Sequence, residues 1–136
     1  MSPEELFDKY VALWNEQDAE RRHERVIELW APDARQVLKP PVEVTEVASG
    51  LGMTATLEAR GHDQLEERVT RAYDEFVAAG GYEFRRRGDA ERLEHVVKFR
   101  WEMVSAGGGA VAGVGLEILM LEPDGRIGTA YQFIEG

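Results

Sequence analysis

One acidic side chain stands inside the most apolar stretch of the sequence. Glu117 interrupts the segment GLEILML at 115–121, which is otherwise uncharged and almost wholly aliphatic. Burial of a carboxylate costs free energy unless the group is paired or keeps its proton, and burial raises its pKa. A carboxyl that keeps its proton can donate a hydrogen bond to a carbonyl or enolate oxygen. Glu117 is therefore a candidate catalytic group; the alternative is a rim carboxylate that reaches solvent or pairs with an arginine.

Two histidines could act as bases near such an acid, because an unperturbed imidazole titrates at about 6.5. His95 alternates with Phe99 and Trp101 along a predicted strand, which predicts that all three share an inward face. His23 precedes Val26 by about one turn on a predicted helix. A lone histidine on an apolar face is more often a hydrogen-bonded core residue, which is the alternative for each. No pair of histidines has the spacing of a metal site, so we expect no metal. We also expect no cofactor.

The composition narrows the class of partner. The 136 residues include 26 acidic and 16 basic side chains, for a net charge of −10. Nucleic acids and anionic membrane surfaces require basic patches, so we expect neither as a partner. The absence of cysteine excludes disulfides, thiolate catalysis and zinc–thiolate sites. The amino-terminal segment lacks the features of a signal peptide and no apolar run approaches ~20 residues, which predicts a cytoplasmic protein.

The amino-terminal part of the chain is predicted to supply three helices. Ser2 forms a capping box with Glu5 ahead of the first helix, whose apolar face includes Tyr10 and Trp14. Asp18 is expected to cap a second helix, with an inner face that consists of Val26, Ile27 and Trp30. A short strand, ARQVL, should follow it. The third helix is expected after the segment GHD and should end at Gly80.

Residues 39–60 contain two prolines and two glycines with weak periodicity, which predicts a long irregular connection. Such a loop can close over a pocket, and Met53 and Leu57 are its candidate inward contacts. Four antiparallel strands should follow the third helix, and the first of them is expected to turn at Gly88–Asp89. Helices followed by strands indicate one α+β domain over 1–136, with a curved, mostly antiparallel sheet wrapped around three helices. That arrangement leaves a cone-shaped pocket.

Four segments, YVALWNEQD, LWAPDA, RG before the third helix, and PDGRI with YQFIE, occur in an order that resembles a known superfamily. The chain resembles the nuclear transport factor 2-like proteins, and more closely their SnoaL-like polyketide cyclase and ketosteroid isomerase branch. The resemblance implies a cystatin-like topology with a small-molecule pocket. The superfamily includes isomerases, cyclases, dehydratases, epoxide hydrolases and non-catalytic domains, so function must be argued from the site.

The resemblance also suggests roles for individual residues. Tyr10 matches the tyrosine that ketosteroid isomerases carry in their first helix, and Glu117 matches their oxyanion-hole aspartate. Their general base is matched by Leu38, so the isomerase mechanism is not supported in its usual form. In the epoxide hydrolases an aspartate stands on the last strand, where this chain has Gln132. Gln132 is then a candidate neutral polar group in the pocket.

These observations together predict a small-molecule pocket protein. In the enzyme hypothesis, Tyr10 and Glu117 donate hydrogen bonds to an oxygen of the substrate while His95 or His23 acts as the base. The reaction would be a lyase, isomerase or cyclase step on a hydrophobic carbonyl compound. The alternative is a non-catalytic module that binds a hydrophobic ligand or dimerises. The residues expected to contact the ligand are Trp14, His23, Phe99, Trp101 and Gln132.

The outward face of the same strand suggests a partner subunit. If Glu117 points inward, then Leu116, Ile118 and Met120 point outward. An exposed apolar strip of this kind usually marks an association surface. Proteins that the chain resembles commonly dimerise through the sheet, so we expect a homodimer through its outer face.

Overall fold

Helices and strands follow one another along residues 1–135, which are the residues that the computed structural model describes. The helices are α1 (Pro3–Asn15), α2 (Ala19–Leu29), α3 (Val42–Gly50) and α4 (Gly61–Ala72), and α4 continues into a π-helix (Tyr73–Ala79). The strands are β1 (Trp30–Leu38), β2 (Leu57–Arg60), β3 (Tyr82–Leu93), β4 (Val96–Ser105), β5 (Val111–Leu121) and β6 (Ile127–Ile134).

The six strands form one mixed sheet in the order β2-β1-β6-β5-β4-β3. β1 pairs parallel with β6, and every other neighbouring pair is antiparallel. α1 packs on β3 and β4, while α4 packs on β1 and β2. The predicted α+β class is therefore confirmed. Across the described 135 residues, no helix combines the length and the apolar character that crossing a membrane requires.

The first two helices begin where their capping residues predict. The Ser2 hydroxyl accepts a hydrogen bond from the Glu5 backbone N–H at 3.1 Å, and Asp18 accepts from two backbone N–H groups at the start of α2. α2 ends at Leu29, one residue before its predicted inner-face tryptophan. Trp30 instead opens β1 and is fully buried, whereas Ile27 is exposed. The predicted inner face of α2 was thus wrong at both positions.

Residues 39–60 are not the irregular connection that their composition predicts. They contain α3 and β2, and β2 pairs with β1 so that Leu57 lies opposite Leu38. The prolines stand just before α3, a position where proline starts a helix instead of breaking it. Met53 and Leu57 are 64% and 43% exposed, so neither makes the predicted inward contact. α3 has no buried residue and lies outside the core.

The turn between β3 and β4 lies later than predicted. β3 runs on through Gly88, where its register with β4 shifts between Arg87 and Glu91. A glycine with a φ of 74° allows an irregularity inside a strand as well as a turn. The chain reverses at Glu94–His95 instead, where Glu94 takes a φ of 52°.

The core lies between α1 and the inner face of the central strands. Phe7 of α1 stacks on Phe99 of β4 with ring centroids 4.1 Å apart, and Tyr10 meets the same ring edge-on at 5.2 Å. Leu119 of β5 and Ala130 of β6 are opposite each other and fully buried. Alternation along β4, β5 and β6 therefore sends one set of side chains toward the helices, and the functional candidates on these strands belong to that set.

Candidate functional site

A cavity of about 430 Å³ opens between the helices and the inner face of the sheet. Its walls are mostly apolar, and α1, α4, the π-helix and the strands β3–β6 all contribute to them. The apolar side chains that shape it include Val11, Trp14, Phe76, Phe84, Trp101 and Met103. Three polar side chains interrupt this surface: Tyr10, Arg68 and Gln132. An apolar cavity with a few polar groups is the usual form of a small-molecule site.

Glu117 lies on the inner face of β5 and is fully buried. Its Oε1 accepts hydrogen bonds from Trp101 Nε1 at 2.9 Å and from Gln132 Nε2 at 2.7 Å. Desolvation raises the pKa of Glu117 from 4.5 to about 7, although its hydrogen bonds and the Arg68 charge act in the opposite direction. Its Oε2 is buried, and no residue of the described chain gives it a hydrogen bond. Near neutral pH this carboxyl therefore exists in both protonation states.

Glu117 does not itself line the cavity. Three lining residues lie between it and the cavity: Trp101 and Gln132 donate to its carboxyl, and the Tyr10 hydroxyl interacts with it. The Trp101 ring lies close against Gly115 of β5, where a Cβ would come within 2.1 Å of it. The expectation that Glu117 points directly at a ligand was wrong, because the larger side chains of neighbouring strands cover the shorter carboxyl.

Tyr10 links the buried carboxyl to the cavity wall. Gln36 Nε2 donates to its hydroxyl oxygen at 3.4 Å, and its ring packs against Trp14, Trp30 and Phe99. Burial, followed by the charge of Glu117, raises the pKa of Tyr10 well above its usual value. The hydroxyl therefore keeps its proton at neutral pH.

Arg68 is the cavity residue that the sequence analysis missed. Its Nε donates to Gln36 Oε1 at 2.5 Å and its Nη2 donates to Gln132 Oε1 at 2.9 Å. The guanidinium carbon also lies 5.5 Å from the centroid of the Trp14 ring, within cation–π range. Desolvation lowers the pKa of Arg68, but a guanidinium stays charged at physiological pH.

The two candidate histidines lie outside the cavity. His95 occupies the β3–β4 turn and is exposed, so it does not share the inward face of Phe99 and Trp101 as predicted. The strand alternation fails there because residues 94 and 95 form the turn. His23 is a surface residue of α2 whose Nδ1 lies 2.7 Å from Glu66 Oε1. No histidine of residues 1–135 lines the cavity.

The remaining predicted contacts divide into two groups. Trp14, Trp101 and Gln132 line the cavity, and so does Leu38, which the sequence resemblance matched to the isomerases' base. Phe99 lies behind the wall, stacked on Phe7. No cluster of three or more His, Asp or Glu side chains that could hold a metal ion occurs in the portion of the chain that the structure describes. The polar chemistry of the cavity therefore rests on Tyr10, Arg68 and Gln132.

Solved structures with the same architecture cover almost the whole chain. A proposed isomerase of the SnoaL-like family from Agrobacterium tumefaciens is 24% identical over 100% of both chains, with a TM-score of 0.79. A proposed polyketide cyclase from Sinorhizobium meliloti is 14% identical over 95% of this chain and 94% of its own, with a TM-score of 0.60. A nuclear transport factor 2-like protein from Exiguobacterium is 19% identical over 96% and 98%, with a TM-score of 0.63.

These likenesses show that the chain has the nuclear transport factor 2-like fold found in SnoaL-like proteins, which the resemblance of its sequence segments implied. No protein-family model matches the sequence, and no curated protein matches it either. Because one fold of this kind carries many activities, the function has to be argued from the cavity.

Proposed function

We propose that the protein binds a hydrophobic small molecule with a carbonyl group in the cavity between α1, α4 and the sheet. The observation that carries this proposal is an apolar space of about 430 Å³ whose few polar side chains are joined to one another by hydrogen bonds. Arg68 donates to both Gln36 and Gln132, and Gln36 in turn donates to Tyr10. The polar groups are therefore gathered in one part of the wall, where they would bind the oxygen of a ligand whose apolar body fills the rest.

Tyr10 is the donor best suited to a neutral carbonyl oxygen. Its hydroxyl keeps its proton because burial raises the pKa, and its ring is fixed by aromatic neighbours on three sides. A donor held in position loses little side-chain entropy when it binds. The Trp14 and Trp101 rings offer flat apolar surfaces beside it.

Binding of N-phenyl-1-naphthylamine, a neutral dye whose emission rises in apolar surroundings, tests this proposal. We expect saturable binding of one dye per chain. Ala112 lines the cavity and is exposed, so Ala112→Phe should obstruct the cavity without disturbing the core and should weaken binding. Ala110→Phe is the matched control, because Ala110 is exposed and does not line the cavity. Absence of saturable binding, or equal binding by both variants, would contradict the proposal.

A second candidate function is a cofactor-free isomerase or cyclase step, and one observation favours it. Glu117 has a pKa of about 7, and Tyr10 lies between it and the cavity. In such a step the Tyr10 oxygen accepts the proton from the carbon next to the carbonyl while its own proton passes to the Glu117 carboxylate, and the electron pair of the broken C–H bond forms an enolate. The reaction class of this candidate function is taken from two structural neighbours, a proposed isomerase and a proposed polyketide cyclase.

Deuterium exchange distinguishes binding from this chemistry. With a β,γ-unsaturated aryl ketone in D₂O, the enzyme hypothesis expects exchange at the carbon next to the carbonyl, followed with NMR. Tyr10→Phe and Glu117→Gln should each abolish the enhancement, whereas His95→Asn, at the exposed turn, should leave it unchanged. Exchange no faster than in buffer, with the dye still bound, would favour the non-catalytic function.

We also propose that two copies associate through the outer face of the sheet. Leu116, Ile118 and Met120 of β5 are half-buried on that face, and Phe133 of β6, opposite Leu116, is 50% exposed. A continuous apolar strip on paired strands favours association over full exposure to water. The ion pair between Arg100 and Glu135 lies close to the strip and would border the contact.

A further inference from the structure

Among residues 1–135, the charge of Arg68 has no carboxylate partner. Ion pairs join many of the other arginines to acids, such as Arg85 and Arg87 to Glu102, whereas no carboxylate oxygen of residues 1–135 lies within 4.0 Å of Arg68. Its two hydrogen bonds go to the neutral amides of Gln36 and Gln132. Its Nη1 makes no hydrogen bond to any described residue. A partly buried charge without a counter-charge costs free energy, so binding of an anion next to Arg68 would be favourable.

Two of the acids that line the groove next to Arg68 are paired with other arginines. Glu67, on the same helix, pairs with Arg71, and Glu58, across the adjoining groove, pairs with Arg35 and Arg60. Glu117 lies beyond the Gln132 amide, and its carboxyl is partly protonated at neutral pH. In a chain with a net charge of −10, the charged group that residues 1–135 contribute to the cavity wall is therefore a cation.

The two glutamines fix the direction of the guanidinium. Each uses its carbonyl oxygen to accept from Arg68, and each then turns its amide nitrogen toward an oxygen: Gln36 toward Tyr10, and Gln132 toward Glu117. The guanidinium is thus held by two hydrogen bonds and by the face of Trp14. A fixed planar fork matches the geometry of a carboxylate, with which arginine forms its strongest hydrogen bonds.

We propose that the ligand of the cavity is an apolar carboxylate whose anionic group binds Arg68. This inference rests on the proposed function, because it names the class of molecule that the same cavity takes. The carboxylate accepts from the guanidinium and from the Tyr10 hydroxyl. The apolar body lies against the rings of Trp14, Phe84 and Trp101.

A matched pair of probes tests the charge of the ligand. 2-Naphthylacetic acid and 2-naphthylacetamide differ in charge but scarcely in shape. Each can be titrated at neutral pH against the dye bound to the 136-residue chain. We expect the acid to bind about 10-fold or more tightly than the amide, because charge-assisted hydrogen bonds are the stronger ones. Arg68→Met should remove this preference, because it weakens binding of the acid far more than binding of the amide. Arg71→Met, one turn along α4 with an exposed side chain, should behave as the wild type.

Each outcome decides a specific point. Equal affinities in the wild type, tighter binding of the amide, or failure of the acid to displace a bound dye would overturn the inference while the proposed binding function stands. Failure of the dye itself to bind would contradict the proposed function and the inference together. If Arg68→Met does not fold, as judged by circular dichroism, the ratio of acid to amide affinity in the wild type still decides.

Discussion

Arg68 and Glu117 meet the two ends of one amide group. Arg68 Nη2 donates to Gln132 Oε1 at 2.9 Å, and Gln132 Nε2 donates to Glu117 Oε1 at 2.7 Å. Gln132 thus stands between a cation in the cavity wall and a carboxyl behind it, and keeps the two from forming a direct ion pair. Because the cation is not in contact, its charge lowers the pKa of Glu117 less than burial raises it. Near pH 7 the Glu117 carboxyl is therefore close to half-protonated. The Arg68 guanidinium stays available to the anionic ligand that we propose.

The raised pKa of Glu117 makes the stability of the fold depend on pH. The unfolded chain releases this proton near 4.5 and the folded protein near 7, so between these values the folded state holds a proton that the unfolded state has lost. The stabilising contribution is fully present below about 4.5 and is lost as the pH rises through about 7. A rise of the pKa from 4.5 to about 7 corresponds to about 3 kcal/mol.

Glu117→Gln isolates this effect, because glutamine imitates the protonated acid at every pH. Denaturant unfolding at about pH 5 and about pH 8 should show the variant gaining about 2–3 kcal/mol relative to the wild type as the pH rises. Taking the difference between the two proteins cancels the titration of the other acids. A difference that is the same at both pH values would mean that Glu117 titrates alike in the folded and unfolded states.

Gly115 is expected to tolerate no side chain. A Cβ there would lie 2.1 Å from Trp101 Cζ2, so Gly115→Ala must displace the indole that donates to Glu117. We expect a loss of about 1–3 kcal/mol in the free energy of unfolding, together with a changed tryptophan emission spectrum. Gly113→Ala is the control on the same strand and face, because its Cβ would meet only Met103 Cε at 4.0 Å. Equal effects of the two substitutions would show that Trp101 does not lie over Gly115.

The proposed association through the sheet can be disrupted with one charge. Light scattering at tens of micromolar should give the mass of a dimer for the wild type, and of a monomer for Ile118→Arg or Phe133→Arg, because each places a charge in the apolar strip. Val47→Arg, on the exposed face of α3, should remain a dimer. A monomeric wild type would refute the proposal.

The four strands after the third helix and the burial of Glu117 followed from alternation along the strands, and the failures have local causes. Glu117 and Leu119 are buried where a period of two puts them. His95 does not follow the same alternation because the chain reverses at Glu94, which has a positive φ. Glycine or asparagine is the usual residue at such a position, so a glutamate there gave no turn signal. Gly88 gave the stronger turn signal, but the chain does not reverse there. β3 pairs with β4 both before and after Gly88, so the glycine lies at a register shift within the strand.

Arg68 shows a different limit of sequence reasoning. Leu65 and Val69 of α4 are buried, and the arginine between them was not among the candidate residues. Arg68 lies three residues after Leu65 and therefore on the same face of α4, and this spacing was the sequence signal for a buried position. A charged residue on such a stripe usually extends to solvent, and only the glutamines of two different strands make the inward position favourable here. Contacts between residues so far apart in the chain are not visible in a local pattern.

The most direct test is the titration of the Glu117 carboxyl carbon, followed by NMR on the protein labelled with ¹³C-glutamate and assigned with Glu117→Gln. A carboxyl buried behind Trp101, Gln132 and Tyr10 should titrate at about 7. We expect one glutamate resonance to move in that range, and to be missing from the variant spectrum. If Glu117 instead titrates with the other carboxyls at about 4.3, it is solvated, and the buried carboxyl behind the cavity wall does not exist as described.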